Sequence, residues 1–523
     1  MIASMHSESA TKDSILDDSR YLAMKARDAR FDGRFFTGVT STGIYCRPVC
    51  KVRAPKRENC RFFPLAAQAE QAGFRPCLRC RPELAPGCDR LGLSADFSTC
   101  AWSVQESTAI LAQQAARLLD EPLAWSDGQV SMAALAVRLG VSEWHVRRIF
   151  ETHWGVSPLQ YWQTRRLLTA KQLLTDTSLP VSDVALQSGF ASVRRFNAAF
   201  LEHYRLQPLA LRKAGSGATV GGKAQAQASS GGLLLRAAYR PPYDVAAMLQ
   251  FYATRQIAGL EAVDVGNRSL ARTIRVTQGD RITSGWVQAT FAVNEPVVHF
   301  VISASLGSAL PAVLVRLRAL LDLDADPQAI NAVLLSDFPG TEGLRLPGTV
   351  DGFELAVRAV LGQQVTVAAA RTLATRLVAR YGTPLESPVE GLQWLFPTPQ
   401  ALAHASADDL GQLGIVKQRQ RAIQALALAV SQGQLTLHPA ADVPTTMAAL
   451  QALPGIGPWT ANYIAMRALR WPDAFPAGDV ALHKALGVQE APHPAVAAEA
   501  ASQRWRPWRS YAVLRAWARL APG

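Results

Sequence analysis

Leu453-Pro-Gly-Ile-Gly-Pro-Trp-Thr-Ala-Asn-Tyr-Ile-Ala-Met-Arg-Ala-Leu-Arg-Trp-Pro-Asp-Ala-Phe-Pro-Ala-Gly-Asp479 is the stretch that decides the fold of the C-terminal half. Pro454, Gly455 and Gly457 break a helix and let backbone amides turn outward. Pro458 suits the first turn of a new helix, where its missing N–H costs nothing. The amides of Gly455 and Gly457 then sit at a helix N-terminus, a position that favours a phosphate. Met447 to Leu450 reads as a short helix ahead of the turn. A Gly-Ile-Gly alone fits any tight turn before a helix. The hairpin, the Trp459-x-x-x-Tyr463 pair and the spaced Asp479 are far more specific together.

Outward from this stretch lie Pro241-Pro242-Tyr243-Asp244, Leu346-Pro347-Gly348, Val360-Leu361-Gly362-Gln363 and Trp508-Arg509-Ser510-Tyr511. With them, the text from about Leu233 to Tyr511 and beyond resembles the AlkA-like DNA-3-methyladenine glycosylases II of the helix–hairpin–helix superfamily. The resemblance implies that Asp479 is the catalytic carboxylate. It implies that Trp459, Tyr463 and Trp517 line the pocket for the alkylated base, and that Leu453, Gly455 and Gly457 meet the DNA backbone. Gln364 falls where such enzymes place an apolar wedge, a departure from the pattern. Trp459 stands where bifunctional relatives hold a Schiff-base lysine, so a monofunctional glycosylase is expected. A monovalent cation at the hairpin is a further expectation. The chemistry suits these residues: the nucleotide must be flipped out, a cationic base held, and an oxocarbenium-like sugar stabilised. Electron-rich rings serve the second task and a fixed carboxylate the third.

At 523 residues the chain exceeds one hydrophobic core. Its 54 Lys and Arg against 41 Asp and Glu leave a formal charge of +13, which suits a polyanion such as double-stranded DNA. No apolar run reaches transmembrane length, so no membrane partner is expected. The N-terminus lacks the apolar core of a secretory signal, and a cytoplasmic, nucleoid-associated protein is expected. Four of the seven cysteines fall in two tight pairs, which reads as a metal site rather than disulfides.

Those pairs are Cys46-Arg-Pro-Val-Cys50 and Cys77-Leu-Arg-Cys80. Four thiolates suit one tetrahedral Zn²⁺ and not calcium or magnesium, which want oxygen. Cys60, Cys88 and Cys100 lack a partner pair and read as packing residues. Most four-cysteine zinc sites only hold a fold together. The surrounding text, Gly33-Arg34-Phe35-Phe36, Thr42-Gly43-Ile44-Tyr45-Cys46 and Ala72-Gly73-Phe74-Arg75-Pro76-Cys77, resembles the N-terminal domain of Ada-type methylation-response proteins. That resemblance implies that zinc-bound Cys46 accepts a methyl group from a DNA methylphosphotriester. A zinc-held thiolate is unprotonated at neutral pH and can attack a methyl carbon. The transfer also removes one negative charge beside DNA. At about 8 Å and an effective dielectric of about 20, that charge is worth about 2 kcal/mol, enough to make the site a sensor.

Ser131 to Phe150 reads helix, Gly140 turn, helix, with Ser142 capping the second. Val181 to Phe200 repeats the pattern around Gly189. Two such units resemble the AraC-type DNA-binding domain over about Gln113 to Lys213. The resemblance places the second helix of each unit in a major groove, with His145, Arg147, Arg148, Arg194 and Asn197 among the contacts to a promoter operator. RNA polymerase is the further partner expected of an activator.

The fold class expected is multidomain α+β: a small four-cysteine zinc domain, an all-α double helix-turn-helix domain, then a mixed α/β subdomain followed by an all-α helix–hairpin–helix glycosylase core. The boundaries read as a disordered terminus at 1–16, zinc domain 17–90, helix-turn-helix domain 105–213, flexible linker 214–232, mixed subdomain 233–340 and glycosylase domain 341–523. Such a linker would isolate the two halves. The function expected is excision of alkylated bases combined with methyl-triggered transcription. The alternative is a transcriptional regulator whose glycosylase-like half only binds DNA.

Overall fold

The computed structural model describes residues 15–87, 104–121, 130–215, 232–278 and 281–520. Residues 1–14 of the expected disordered terminus, most of the linker, Cys88 and Cys100 lie outside these residues; residues 15 and 16, expected to be disordered, begin the first helix.

The first unit is a four-stranded sheet behind a helix at residues 15–25. Its strands are Phe36–Val39, Ile44–Cys46, Cys60–Phe63 and Arg75–Pro76, and the first pairs antiparallel with the second and third. These strands are too short for an alternating pattern to show in the sequence. Phe36, Tyr45, Phe63 and Phe74 close one face of the sheet.

The next unit is all helical, and its turns are set locally. Ser131, Ser142 and Ser192 each cap a helix with the side-chain oxygen accepting a backbone N–H. Helices Met132–Leu139 and Glu143–Trp154 form the first helix-turn-helix; Val181–Gln187 and Val193–Tyr204 form the second. Pro158–Asp176 joins them, starting at a Ser157/Gln160 capping box. Helix continues to Gly215, and strand begins at Gly232.

An antiparallel five-stranded sheet follows, in the order Gly232–Ala238, Val297–Ser303, Arg281–Phe291, Ser269–Gln278, Glu261–Asp264. In the sequence, Val287 to Val301 carries the β-branched and aromatic residues of a strand or two; the remaining strands of the sheet are additions. Beyond it the chain is helical apart from a short ribbon, Thr383–Pro384 with Trp394–Leu395. The helices form two apolar clusters, one around Phe353, Leu377, Ile423 and Ile464, the other around Phe338, Leu469, Trp505 and Val513. Tyr463, Met447 and Leu437 touch both. Helix Pro458–Arg467 therefore lies between the two clusters, and that seam holds the site.

The two halves of the chain are not isolated, contrary to the expectation from the linker. Val184, Phe196 and Phe200 of the second helix-turn-helix and Leu211 of the following helix Pro208–Gly215 share one core with Leu235, Phe300 and Leu317 of the mixed subdomain. Arg240, 1% exposed, donates to the Asp32 carbonyl (2.8 Å) of the cysteine domain and to the Asp324 carbonyl (2.7 Å) of the C-terminal half. Gly33 allows this approach: at φ +73°, a Cβ there would meet the Pro86 carbonyl at 2.1 Å. Glu83 and Asp176 pair with Lys171 and Arg81 across the joint between the cysteine domain and the joining helix. Among the described residues, no helix is long and apolar enough to cross a membrane.

Candidate functional site

The helix–hairpin–helix forms as the sequence dictates. Helix Val443–Gln451 leads in, Gly455 takes φ +78°, and Gly457 caps helix Pro458–Arg467 with proline at its first position. Gly455 and Gly457 are exposed and Leu453 is half-buried, so the hairpin edge is open to a phosphate. The Gln363 amide donates to the Gly455 carbonyl (2.8 Å) and to Thr460 Oγ1 (3.0 Å), which ties the next loop to the hairpin. Gln364 projects from that loop, exposed, with a left-handed backbone at φ +53°.

Asp479 is 9% exposed and caps helix Val480–Ala485. Its Oδ1 accepts the Leu482 amide at 2.6 Å and the Trp517 indole N–H at 3.1 Å. Its Oδ2 accepts the Trp459 indole N–H at 2.6 Å. The two tryptophans, expected as pocket walls, hold the carboxylate through their indole N–H groups. Tyr463 stacks on Trp459 with centroids 5.3 Å apart and planes 7° from parallel, and stands 6.4 Å from Trp517 at 43°. Asp479, Trp459, Tyr463 and Trp517 thus meet at one place.

Three residues behind Tyr463 escaped the sequence reading. Arg467 donates to the Tyr463 hydroxyl at 2.6 Å, and Arg467 and Arg255 stack on Phe251. Burial would push the Tyr463 phenol up, but Arg467 and then Arg255 outweigh it, and the phenol titrates below its ordinary value. The available signal was spacing: Arg467 is four residues after Tyr463, and Phe251 and Arg255 are four apart on the helix that follows Pro241-Pro242-Tyr243-Asp244.

In the cysteine domain, the sulfurs of Cys46, Cys50, Cys77 and Cys80 lie within 4.8 Å of one another. That spacing and an all-sulfur donor set fit tetrahedral Zn²⁺. Cys46 ends a strand, and the next amide, Arg47 N–H, donates to Cys80 Sγ at 3.3 Å. The Arg47 guanidinium pairs with buried Asp32. A cavity of about 50 Å³ beside Cys46 is lined by Lys25, Arg27 and Thr37 among others. Thr37 is 0% exposed and its hydroxyl has no partner among the described residues. Neither the two basic residues nor Thr37 was signalled by a motif. Cys60 stands apart, its thiol donating to the Lys56 carbonyl at 3.3 Å.

On the second helix of each helix-turn-helix, Arg147, Arg148 and Arg194 are exposed, whereas His145 and Asn197 are half-buried. Arg195 is also exposed and was not among the expected contacts. Arg148 stacks on exposed Trp144 at 4.8 Å.

The fold and these sites define a class: a helix–hairpin–helix base-excision protein built behind a metal-binding, helix-turn-helix regulator. Four known families match along the chain: "Metal binding domain of Ada" over residues 19–83, "Helix-turn-helix domain" over 135–214, "AlkA N-terminal domain" over 234–351 and "HhH-GPD superfamily base excision DNA repair protein" over 357–509. The probable bifunctional transcriptional activator/DNA repair enzyme AlkA of Mycobacterium tuberculosis is 38% identical over 506 residues, 96% of each chain. DNA-3-methyladenine glycosylase 2 of Escherichia coli is 38% identical over 280 residues, 53% of this chain and 95% of that protein. The Ada protein of Escherichia coli, a bifunctional transcriptional activator/DNA repair enzyme, is 35% identical over 156 residues, 29% of this chain and 38% of its own. The chain belongs to the family of bifunctional transcriptional activator/DNA repair enzymes of the AlkA type.

Proposed function

We propose that the C-terminal half hydrolyses the N-glycosidic bond of alkylated bases in duplex DNA, with 3-methyladenine-type lesions as the core substrates. The observation that carries this reading is the Asp479 carboxylate, fixed by two indole N–H groups and one amide at the mouth of an aromatic slot. The C1′–N bond breaks with its electron pair on the base. Positive charge grows on the sugar, and Asp479 stabilises it until water adds to C1′. Trp459, Tyr463 and Trp517 hold the flipped base. Leu453, Gly455 and Gly457 grip the backbone, and Gln364 fills the vacated stack. No lysine stands at position 459, which favours a monofunctional reaction without strand cleavage. A monovalent cation on the hairpin carbonyls belongs to this reading, and cation dependence of DNA affinity tests it.

In the N-terminal half the Cys46 sulfur bonds to the methyl carbon of a DNA methylphosphotriester as the O–CH3 bond breaks, and an ordinary phosphodiester anion is the leaving group. Cys46, Cys50, Cys77 and Cys80 would hold a Zn²⁺, which when bound would supply an unprotonated thiolate at Cys46. Lys25 and Arg27 beside the cavity attract the phosphate chain. Methylation then favours operator binding through His145, Arg147, Arg148, Arg194 and Asn197, with RNA polymerase as the recruited partner.

The test is release of methylated bases from dimethyl-sulfate-treated duplex by the full chain, with methyl transfer to the Cys46 peptide read by mass spectrometry. Base release without strand cleavage is expected. Methyl transfer without base release would leave the regulator reading, in which the C-terminal half only binds DNA.

A further inference from the structure

We propose that Arg255 is a specificity-determining residue of the base slot, present to stabilise the departure of neutral damaged bases. The inference rests on the base-excision reading above and names a substrate class within it.

The argument starts from unmatched charge. Four guanidiniums gather behind the slot. Arg272 and Arg358 are paired with Glu261 and Glu354. Arg255 and Arg467 have no carboxylate within ion-pair distance among the described residues. Arg467 spends its donors on the carbonyls of Pro347 and Gly348 and on the Tyr463 hydroxyl. Arg255 donates from one terminal nitrogen to the Phe251 carbonyl (3.3 Å) and Thr254 Oγ1 (3.0 Å). It is half-buried and stacks on Phe251 at 3.9 Å. Its side chain also meets the Tyr463 side chain, so a guanidinium without a carboxylate partner stands behind that ring, where part-burial makes its charge costly unless a ligand uses it. In front of it stands Tyr463, whose ring centroid lies 6.4 Å from that of Trp517, the pair that the base-excision reading takes as walls for the flipped base.

In both substrate types the base gains one electron pair as the C1′–N bond breaks. A base alkylated on a ring nitrogen goes from cation to neutral, whereas a neutral base such as hypoxanthine goes from neutral to anion. Water supplies the oxygen to C1′ and gives its proton to solvent, and the departing purine anion takes a proton from solvent. Fixed positive charge behind the slot therefore does different things to the two classes. It opposes binding of the cationic base and is relieved as that base leaves, so the transition state is unaffected relative to free enzyme. For the neutral base it leaves binding alone and stabilises the transition state. At an effective dielectric of about 20, a unit charge acting on another over about 6 Å is worth about a hundredfold in rate.

The experiment compares wild type, Arg255→Met and Arg255→Lys in single-turnover excision of hypoxanthine and of 3-methyladenine from duplex DNA. Protein concentration is varied to separate the maximal rate from the half-saturating concentration. For hypoxanthine, Arg255→Met is expected to lower the ratio of the two by tenfold or more through the maximal rate. For 3-methyladenine the ratio is expected to stay within about threefold, because maximal rate and half-saturating concentration fall together. Arg255→Lys keeps the charge and is expected to retain most hypoxanthine excision. Equal loss on both lesions would indicate a merely structural role and overturn the proposal, as would no loss on either. Wild-type protein that releases 3-methyladenine but no hypoxanthine would overturn it while leaving the base-excision reading standing. Release of neither would overturn both.

Discussion

Asp479 carries one negative charge and accepts three hydrogen bonds, so both oxygens are committed and the carboxylate cannot swing. Its charge is held in one place before the substrate arrives. Asp479→Asn removes that charge and sets an amide N–H against an indole N–H. Excision in single turnover should fall by about a hundredfold, about 3 kcal/mol. Affinity for alkylated DNA, measured in parallel, should hold or rise, since an anion near phosphates is gone. Full excision by this variant would place the catalytic carboxylate elsewhere. Trp517 donates its N–H to Asp479 and in the proposed reaction is also a wall for the base; Trp517→Phe separates the two roles. The ring remains while one bond to a charged acceptor is lost, so excision of cationic and neutral bases should fall together by about tenfold. Wild-type rates from Trp517→Phe would refute the donor role. In the cysteine domain, Cys46→Ser should abolish methyl uptake from methylphosphotriester DNA, read as loss of the mass increment on the Cys46 peptide.

At the scale of elements, the parts legible in the sequence are those whose causes are local. Gly140 and Ser142 lie two residues apart and specify a helix-turn-helix without help from the rest of the chain. Pro458 after Gly457 does the same for the hairpin. The five-stranded sheet was read only in part because strand Ser269–Gln278 carries Arg272 and Arg275, which spoil the apolar pattern. Arg272 is buried nonetheless, its charge matched by Glu261 from the neighbouring strand and by Glu354 from helix Gly352–Leu361. Pairing over such distances leaves no periodicity to read. The same holds for the site: the spacing from the hairpin singles out Asp479, but the Trp517 bond spans 38 residues and depends on the packed cluster around Val513. The hairpin itself invites a test at Gly455. Its left-handed φ disfavours any side chain, and a Cβ would sit 3.1 Å from that of Ala422. Gly455→Ala should cost about 1–2 kcal/mol and weaken DNA binding, measured by thermal unfolding and by DNA titration.

Across the whole molecule, buried groups join the domains to one another. Glu70, its side chain 3% exposed, accepts Tyr45 Oη (2.9 Å), one residue from Cys46, and Thr164 Oγ1 (2.7 Å) on the joining helix. Burial pushes its carboxyl up to about 7 from 4.5, despite those bonds and the Lys171 charge. The folded state thus holds the proton more tightly than the unfolded state. Its stabilising effect is complete below pH 4.5 and is lost as pH rises to about 7, a change of about 3 kcal/mol. Glu70→Gln should therefore raise the unfolding temperature at pH 8 relative to wild type and leave the two nearly equal at pH 4.5. Equal differences at both pH values would refute this. The shared core around Phe196 and Phe300 has a simpler test: protease cleavage between residues 216 and 231 should leave two fragments that co-elute on gel filtration. The Arg240 contacts to Asp32 and Asp324 also bear on how the protein works along a chromosome. Two DNA-reading surfaces held at a fixed angle cannot reach every position beside a bound operator. Lesions placed at successive base pairs from that operator would come into reach once per turn of the duplex. Excision there would rise and fall with a period of about 10.5 base pairs instead of fading smoothly with distance.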